Sequence, residues 1–227
     1  MPWLRRNRSY DRNRVLAEAT RAVRKRRHGK ALGFYQQILA HEPNNPDLHR
    51  RVAALLARTG RRNEAWSSYR RAGEALVRQG FLEQAIGVYR EACDRLPRAP
   101  EVWMAVADLE VERGRPRDAI EALLSGRRRF RSRATRAHAM QLLRHARKID
   151  GDDFDVTFDL AGLTARSGRR AQARRLLDEI APRCNRAQLR RLRGRQFAIA
   201  PGLRPAWLWL RALVGAERPQ RPRRVAA

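Results

Sequence analysis

Amphipathic runs that end in glycine recur along the chain. Five residues after each glycine an alanine lies inside the next run, and a large apolar residue follows four positions later. The four sets are Gly60, Ala65, Tyr69; Gly80, Ala85, Tyr89; Gly114, Ala119, Leu123; and Gly168, Ala173, Leu177. Glycine suits the left-handed position after a helix, and alanine lets two helices approach so that the large residue fills the groove between them. The pattern therefore predicts repeated helix–turn–helix units.

The hydrophobic period is helical throughout, and no alternating strand pattern occurs. It predicts an all-α fold, an α-solenoid of antiparallel helix pairs with about twelve helices. The predicted helices cover residues 11–27, 30–41, 46–59, 62–79, 82–95, 101–113, 117–132, 135–149, 153–167, 170–181, 186–199 and 205–215.

We call this spacing of a glycine, an alanine and a large apolar residue the frame. Without its glycine, the frame also fits Ala31 and Ala139. Pro43 and Pro97 each stand at the end of a repeat unit, after its second helix. Trp103 stands in a first helix, at the tryptophan position of the repeat family that these frames resemble. Together these six frames resemble the tetratricopeptide repeat family, of bacterial type, over about residues 12–181. The resemblance implies helix–turn–helix units of 34 residues.

The spacing departs from that family. The frame alanines fall at residues 31, 65, 85, 119, 139 and 173, so steps of 34 and 20 residues alternate within a 54-residue super-repeat. Twenty residues are too few for two helices and a loop. We therefore expect one helix to serve two successive units, over 62–79 and again near 117–132.

The resemblance also implies a function, because tetratricopeptide proteins bind partners in a groove lined by the first helices of successive units. By register, the candidate groove positions here are Asn13, Arg50, Arg58, Arg70, Glu74, Arg78, Met104, Asp108, Glu112, Arg128, Phe158 and Arg166. The family's carboxylate-binding groove has an asparagine four residues after its cation, but Ala54 follows Arg50 at that spacing. The groove positions are instead mixed in charge, basic from Arg50 to Arg78 and acidic from Asp108 to Glu112, so we expect a folded or charged partner. The first hypothesis is a non-enzymatic protein–protein interaction scaffold.

Charge supplies an alternative hypothesis. The formal net charge is +28, and residues 127–149 carry nine basic side chains and no acidic one. The candidate anion-binding residues in this basic helix, 127–148, are Arg127, Arg128, Arg129, Arg131, Arg133 and Arg136. They fit sequence-nonspecific binding of nucleic acid or another polyanion, assisted by the basic termini. A solvated helix face, or a GC-rich coding sequence that favours arginine codons, explains the same residues.

Catalytic and metal-binding motifs are missing from the sequence. It contains no phosphate loop, no His-Glu-x-x-His pair and no Cys-x-x-Cys pair. His138 and His145 share a helix face without a third ligand, and the aspartates of 150–155 lack the spacing of a calcium loop. We expect no enzyme activity, cofactor, metal or small-molecule substrate.

The remaining expectations concern domains and location. Residues 1–10 are expected to be a mobile basic segment, 11–200 the repeat array, 201–216 a capping helix and 217–227 a disordered Arg/Pro-rich tail. Cys93 and Cys184 are too few for a disulfide scaffold, and no apolar stretch approaches the roughly 20 residues of a membrane span. These features predict a cytoplasmic protein without a signal peptide.

Overall fold

The computed structural model describes residues 10–215, which form twelve α-helices, one short 3-10 helix (Ala181–Arg183) and no strand. The α-helices are α1 (Arg12–Arg24), α2 (His28–His41), α3 (Pro46–Arg58), α4 (Arg62–Arg78), α5 (Leu82–Arg95), α6 (Pro100–Glu112), α7 (Pro116–Arg127), α8 (Arg136–Ile149), α9 (Phe154–Arg166), α10 (Arg170–Ile180), α11 (Arg186–Ile199) and α12 (Leu203–Leu213). The predicted all-α helical-repeat class is confirmed.

Contacts divide the chain into an N-terminal unit, residues 1–97, and a C-terminal unit, residues 98–227. In the described part of the N-terminal unit, α1 packs on α2, α3 on α4 and α4 on α5. In the described part of the C-terminal unit, α6 packs on α7, α7 on α8, α9 on α10 and α11 on α12. Each unit is thus built from sequence-adjacent helices joined by short connections.

The predicted glycine turns and close contacts are confirmed. The four frame glycines have φ between +79° and +86°, the left-handed region that glycine adopts without a Cβ penalty. The frame alanines Ala65, Ala85, Ala119 and Ala173 are each 0% exposed, and the large residues that follow them are at most 5% exposed. The α1–α2 turn reaches the same conformation without glycine, since Arg26 has φ +55°.

Helix α4 takes part in two helix pairs. Gly60 and Gly80 reverse the chain at its two ends, and α4 packs on α3 before it and on α5 after it. The predicted shared helix over 62–79 is therefore confirmed. The 54-residue period is also visible, because α3, α6 and α9 begin at Pro46, Pro100 and Phe154.

The second shared helix is shorter than predicted. Helix α7 packs on both α6 and α8, but it ends at Arg127, not at 132. Phe130 is buried and its ring lies 5.4 Å from that of His138, while Ser132 and Thr135 hydrogen-bond within the turn before α8. The expectation of one basic helix over 127–148 is therefore wrong, since residues 128–135 form a loop.

Most of the two predicted terminal segments, 1–10 and 217–227, lies outside the described residues. Tyr10 is described, and its ring stacks on His41 with centroids 3.8 Å apart. Helix α12 is present where a capping helix was predicted, and the division of the array at residue 200 stays a prediction.

Candidate binding surfaces

Five of the six predicted groove positions of the N-terminal unit lie on α3 and α4, the sixth, Asn13, lies on α1, and all six are exposed. Two of them form an ion pair with each other, because Arg70 Nε lies 3.7 Å from Glu74 Oε1. Arg50 Nε donates a hydrogen bond to Glu91 Oε2 at 2.5 Å. Arg58 and Arg78 extend from the last turns of their helices. This surface is therefore partly neutralised within the chain.

Glu91 on α5 connects three residues of the N-terminal unit. It accepts hydrogen bonds from Arg50, from Arg95 Nε at 3.0 Å and from the Tyr69 hydroxyl at 3.1 Å. Burial alone would raise the pKa of Glu91, but the hydrogen bonds and charge of Arg50, with the bonds from Arg95 and Tyr69, hold it below its ordinary value. No sequence pattern indicates Glu91, because Arg50 and Tyr69, two of its partners, lie 41 and 22 residues away in the chain.

In the C-terminal unit, the predicted positions on α6 face side chains of α8. Asp108 Oδ1 lies 2.7 Å from His145 Nε2, and Met104 Sδ accepts a hydrogen bond from Gln141 at 3.7 Å. Glu112 is exposed at the end of α6. This surface is polar and carries internal partners for two of its three predicted positions.

The predicted positions on α9 are surrounded by arginines. Phe158 is only 7% exposed, because the guanidinium carbons of Arg191 and Arg195 lie 4.9 and 4.2 Å from its ring centroid. Arg166 is exposed at the end of the same helix. The surface at Phe158 therefore presents guanidinium groups in place of an aromatic ring.

We call Arg166, Arg191 and Arg195 the arginine cluster. Arg195 lies over the backbone of Gly162, where an added Cβ would stand 1.9 Å from Arg195 Nη1. Burial lowers the pKa of Arg195, as do the charges of Arg166 and Arg191, against a raising effect of Asp159. The three guanidinium groups therefore lie near one another at a half-buried site. Because Gly162 has no side chain, it leaves room for the guanidinium of Arg195.

Two nearby carboxylates are already engaged. Arg191 Nη2 binds Asp155 Oδ1 at 3.0 Å, and Arg127 Nη2 binds Asp159 Oδ2 at 2.9 Å. Over residues 10–215, Arg166 and Arg195 have no carboxylate within ion-pair distance. The arginine cluster therefore carries an uncompensated positive charge.

Two of the six candidate anion-binding residues bind within the chain. Arg127 pairs with Asp159, and Arg136 Nη1 donates a hydrogen bond to the backbone oxygen of Arg166. The remaining four, Arg128, Arg129, Arg131 and Arg133, are exposed on the loop 128–135. Phe130 is 4% exposed and so unavailable for stacking on a base.

Other reactive side chains are occupied or buried. His138 contacts the Phe130 ring and His145 binds Asp108, and no three metal-ligating residues cluster in the described part of the chain. Burial raises the pKa of Cys93 to about 12, which keeps the thiol protonated.

Between residues 10 and 215, none of the helices is long and apolar enough to cross a bilayer.

Two family models match parts of this chain. The tetratricopeptide repeat model matches residues 66–109, which confirms the predicted resemblance over that segment. A model described as the bacterial transcriptional activator domain matches residues 3–80. Among curated protein sequences no match is found.

Several solved structures are similar to this chain at low identity. The pilF protein of Pseudomonas aeruginosa is 15% identical, with 90% of this chain and 89% of that one covered and a TM-score of 0.30. YrrB, described as a TPR protein with an unusual peptide-binding site, is 13% identical, with 91% and 92% covered and a TM-score of 0.28. MamA of Desulfovibrio magneticus RS-1 is 14% identical, with 74% and 92% covered and a TM-score of 0.28.

Proposed function

We propose that this protein, which resembles the tetratricopeptide repeat family, is a non-enzymatic scaffold that binds another protein, and that the arginine cluster contacts acidic side chains of that partner. The observation that supports it is the half-buried Arg195 guanidinium, which has Arg166 and Arg191 as neighbours and no carboxylate of its own among residues 10–215. A charge withdrawn from water is costly unless it is paired. A partner carboxylate would supply that pair.

The geometry suits a carboxylate in particular. A guanidinium presents a planar fork of donors that matches the two oxygens of a carboxylate. Arg195 is held by the ring of Phe158 beneath it, at 4.2 Å, and by its position over Gly162. An arginine held in this way loses less side-chain entropy when it binds, so the cluster favours a partner with an exposed Asp/Glu segment.

The test is affinity purification from the native host, followed by mass spectrometry. R166Q/R195Q removes the uncompensated charge, and R117Q/R133Q removes two exposed arginines elsewhere in the same unit as the matched control. We expect a partner that the wild type and the control recover and that R166Q/R195Q loses. Equal recovery by all three proteins would contradict the proposal.

A second variant separates charge from geometry. G162A keeps every arginine, but its Cβ displaces the end of the Arg195 side chain. Because that end is flexible, the fold should persist while the guanidinium moves. We expect partner recovery to fall in G162A, and unchanged recovery would show that the position of Arg195 is irrelevant.

The proposal assigns the scaffold to the bacterial cytoplasm, with another protein as its partner and with no cofactor or small-molecule substrate. Its support is the tetratricopeptide match over 66–109 together with the bacterial domain match over 3–80. Purified protein should accordingly change none of the common nucleotide or ester substrates in an activity screen.

A second candidate function is sequence-nonspecific binding of nucleic acid. It is favoured by the four exposed arginines of loop 128–135 and by the match of residues 3–80 to a bacterial transcriptional activator domain. Phosphate neutralisation would release counterions, so affinity should fall steeply with salt. Labelled RNA and DNA titrated at two salt concentrations test it, with R128E/R129E/R131E expected to weaken binding to all sequences alike. Binding at neither salt concentration would remove this candidate.

A further inference from the structure

Helix α12 of the C-terminal unit packs on α11. The Trp209 ring stacks on Phe197 with centroids 5.5 Å apart, and Ala212 is 4% exposed. Arg190 Nε donates a hydrogen bond to the backbone oxygen of Ala212 at 3.2 Å. These contacts fix the rotation of α12 about its axis and determine which side chains point away from α11.

The opposite face of α12 is an exposed apolar stripe. We define the stripe as Leu203, Trp207, Leu210, Leu213 and Val214, which are 93%, 61%, 51%, 45% and 82% exposed. It contains five of the eight large apolar side chains exposed among residues 10–215. At about 100° per residue the five lie within roughly one third of the helix circumference. A stripe of this kind on one short helix marks an interaction surface.

The charged side chains that α12 itself carries beside the stripe are positive. Arg204 and Arg211 are seven residues apart, about two helical turns, so they lie along the same edge of the stripe. Residues 203–215 contain no acidic residue, and in the sequence 216–227 adds four arginines and one glutamate. If two copies joined through this face, their positive charges would lie together and repel each other. An anionic surface would instead attract the two arginines beside the stripe.

We propose that α12 docks the protein on an anionic lipid bilayer, with the stripe in the boundary between headgroups and acyl chains. Tryptophan favours that boundary, and Arg204 and Arg211 would reach lipid phosphates beside it. The helix has 11 residues, about 16 Å in length, so it would lie in the plane of the interface. This inference goes beyond the proposed scaffold function and does not depend on it.

The experiment must separate insertion from adsorption, because a chain with net charge +28 adsorbs to anionic vesicles by charge alone. The full-length protein is floated with phosphatidylcholine vesicles containing about 30% phosphatidylglycerol, and with pure phosphatidylcholine vesicles, at low salt and at about 0.5 M salt. Screening removes surface adsorption at the higher salt. Quenching of tryptophan fluorescence by brominated acyl chains reports insertion directly.

Two variants with unchanged charge are compared with the wild type. W207S/L210S removes two side chains of the stripe, and F81S/V111S removes two exposed apolar side chains elsewhere as the matched control. At about 0.5 M salt we expect wild type and control to float with the anionic vesicles and to be quenched. We expect W207S/L210S to bind at least about tenfold more weakly, with an unchanged melting curve.

Three outcomes would overturn the proposal. The first is flotation of all three proteins alike at low salt and of none at about 0.5 M salt. The second is a lipid-free dimer of the wild type that W207S/L210S converts to a monomer, since the stripe would then face a second copy. The third is flotation of W207S/L210S with the anionic vesicles equal to that of the wild type at about 0.5 M salt. Partner recovery by W207S/L210S tests the scaffold function separately and is expected to be unchanged.

Discussion

The ring of Tyr89 on α5 lies directly against Gly73 of α4, so that a Cβ on Gly73 would stand 2.3 Å from Tyr89 Cε1. The Tyr89 hydroxyl continues past the glycine and donates a hydrogen bond to the backbone oxygen of Arg70 at 3.4 Å. This contact explains why a helix that belongs to two pairs keeps a glycine at its centre. The backbone of α4 is part of the surface on which α5 packs.

Replacing this glycine should destabilise the protein. G73A gains up to about 1 kcal/mol in helix propensity, but overpacking against a buried tyrosine costs about 1–3 kcal/mol or more. We expect a net loss of about 1–2 kcal/mol in the free energy of unfolding, measured by urea denaturation. G87A is the matched control, because a Cβ there meets nothing within 4 Å. G87A should be stabilised, and equal effects of the two variants would contradict the contact.

The α1–α2 turn offers a stabilising substitution. Arg26 has φ +55°, where four other turns of the repeat have glycine, and a non-glycine residue in this region costs about 1 kcal/mol. We expect R26G to raise the free energy of unfolding by about 0.5–1 kcal/mol, less the added entropy of the unfolded chain. The reverse change G60A, at φ +79°, should lower it by about 1 kcal/mol. A destabilised R26G would show that its side chain contributes more than its backbone costs.

The ion pairs of Glu91 predict how stability depends on pH. Its pKa is lower in the folded protein, so the unfolded state binds the proton more readily, and the contribution of Glu91 is complete above the unfolded value of about 4.3. That contribution is lost as the pH falls through the lower folded pKa. E91Q should therefore lose about 1 kcal/mol at pH 7 and show a flatter decline between about pH 5 and pH 3.

Chemical denaturation at several pH values checks this prediction. E121Q is the control, because Glu121 is an exposed carboxylate on the surface of α7. It should follow the wild-type curve. If E91Q also follows it, the hydrogen bonds of Glu91 contribute nothing to the pH dependence.

The frame alanines predict a steric limit. Ala85 is 0% exposed at the start of α5, and A85L would insert three carbon atoms into a close helix contact, at a cost of about 1–3 kcal/mol. A17L, at an exposed position of α1, makes the same chemical change on the surface and should leave stability nearly unchanged. An unchanged melting curve for A85L would contradict the register of the repeat.

Local steric requirements made most of the fold predictable. A turn that needs φ above zero selects glycine, and a close helix contact selects alanine, so Gly60 and Ala65 identify their structural positions from sequence alone. The end of α7 was not predictable in this way. Phe130 leaves the helical path because it packs on His138, and that contact exists only in the folded chain.

The candidate sites were predictable only in part. The register placed Arg50 and Arg166 on first helices, where their side chains are exposed, and their role in a groove stays a prediction. It did not indicate Glu91 or Arg195, because most of their neighbours lie 22 to 41 residues away in the chain. Whether a charge is compensated depends on such distant neighbours, and no local pattern records them.

The shared helix α4 has a consequence for how such a chain can lengthen. In an array of independent pairs, a gene duplication that copies one pair leaves every helix with a partner. Here a copied or deleted pair would leave α4 without one of its two neighbours, α3 or α5. The heritable module is therefore three helices, and helix starts at Pro46, Pro100 and Phe154 are the marks that duplication in 54-residue blocks would leave.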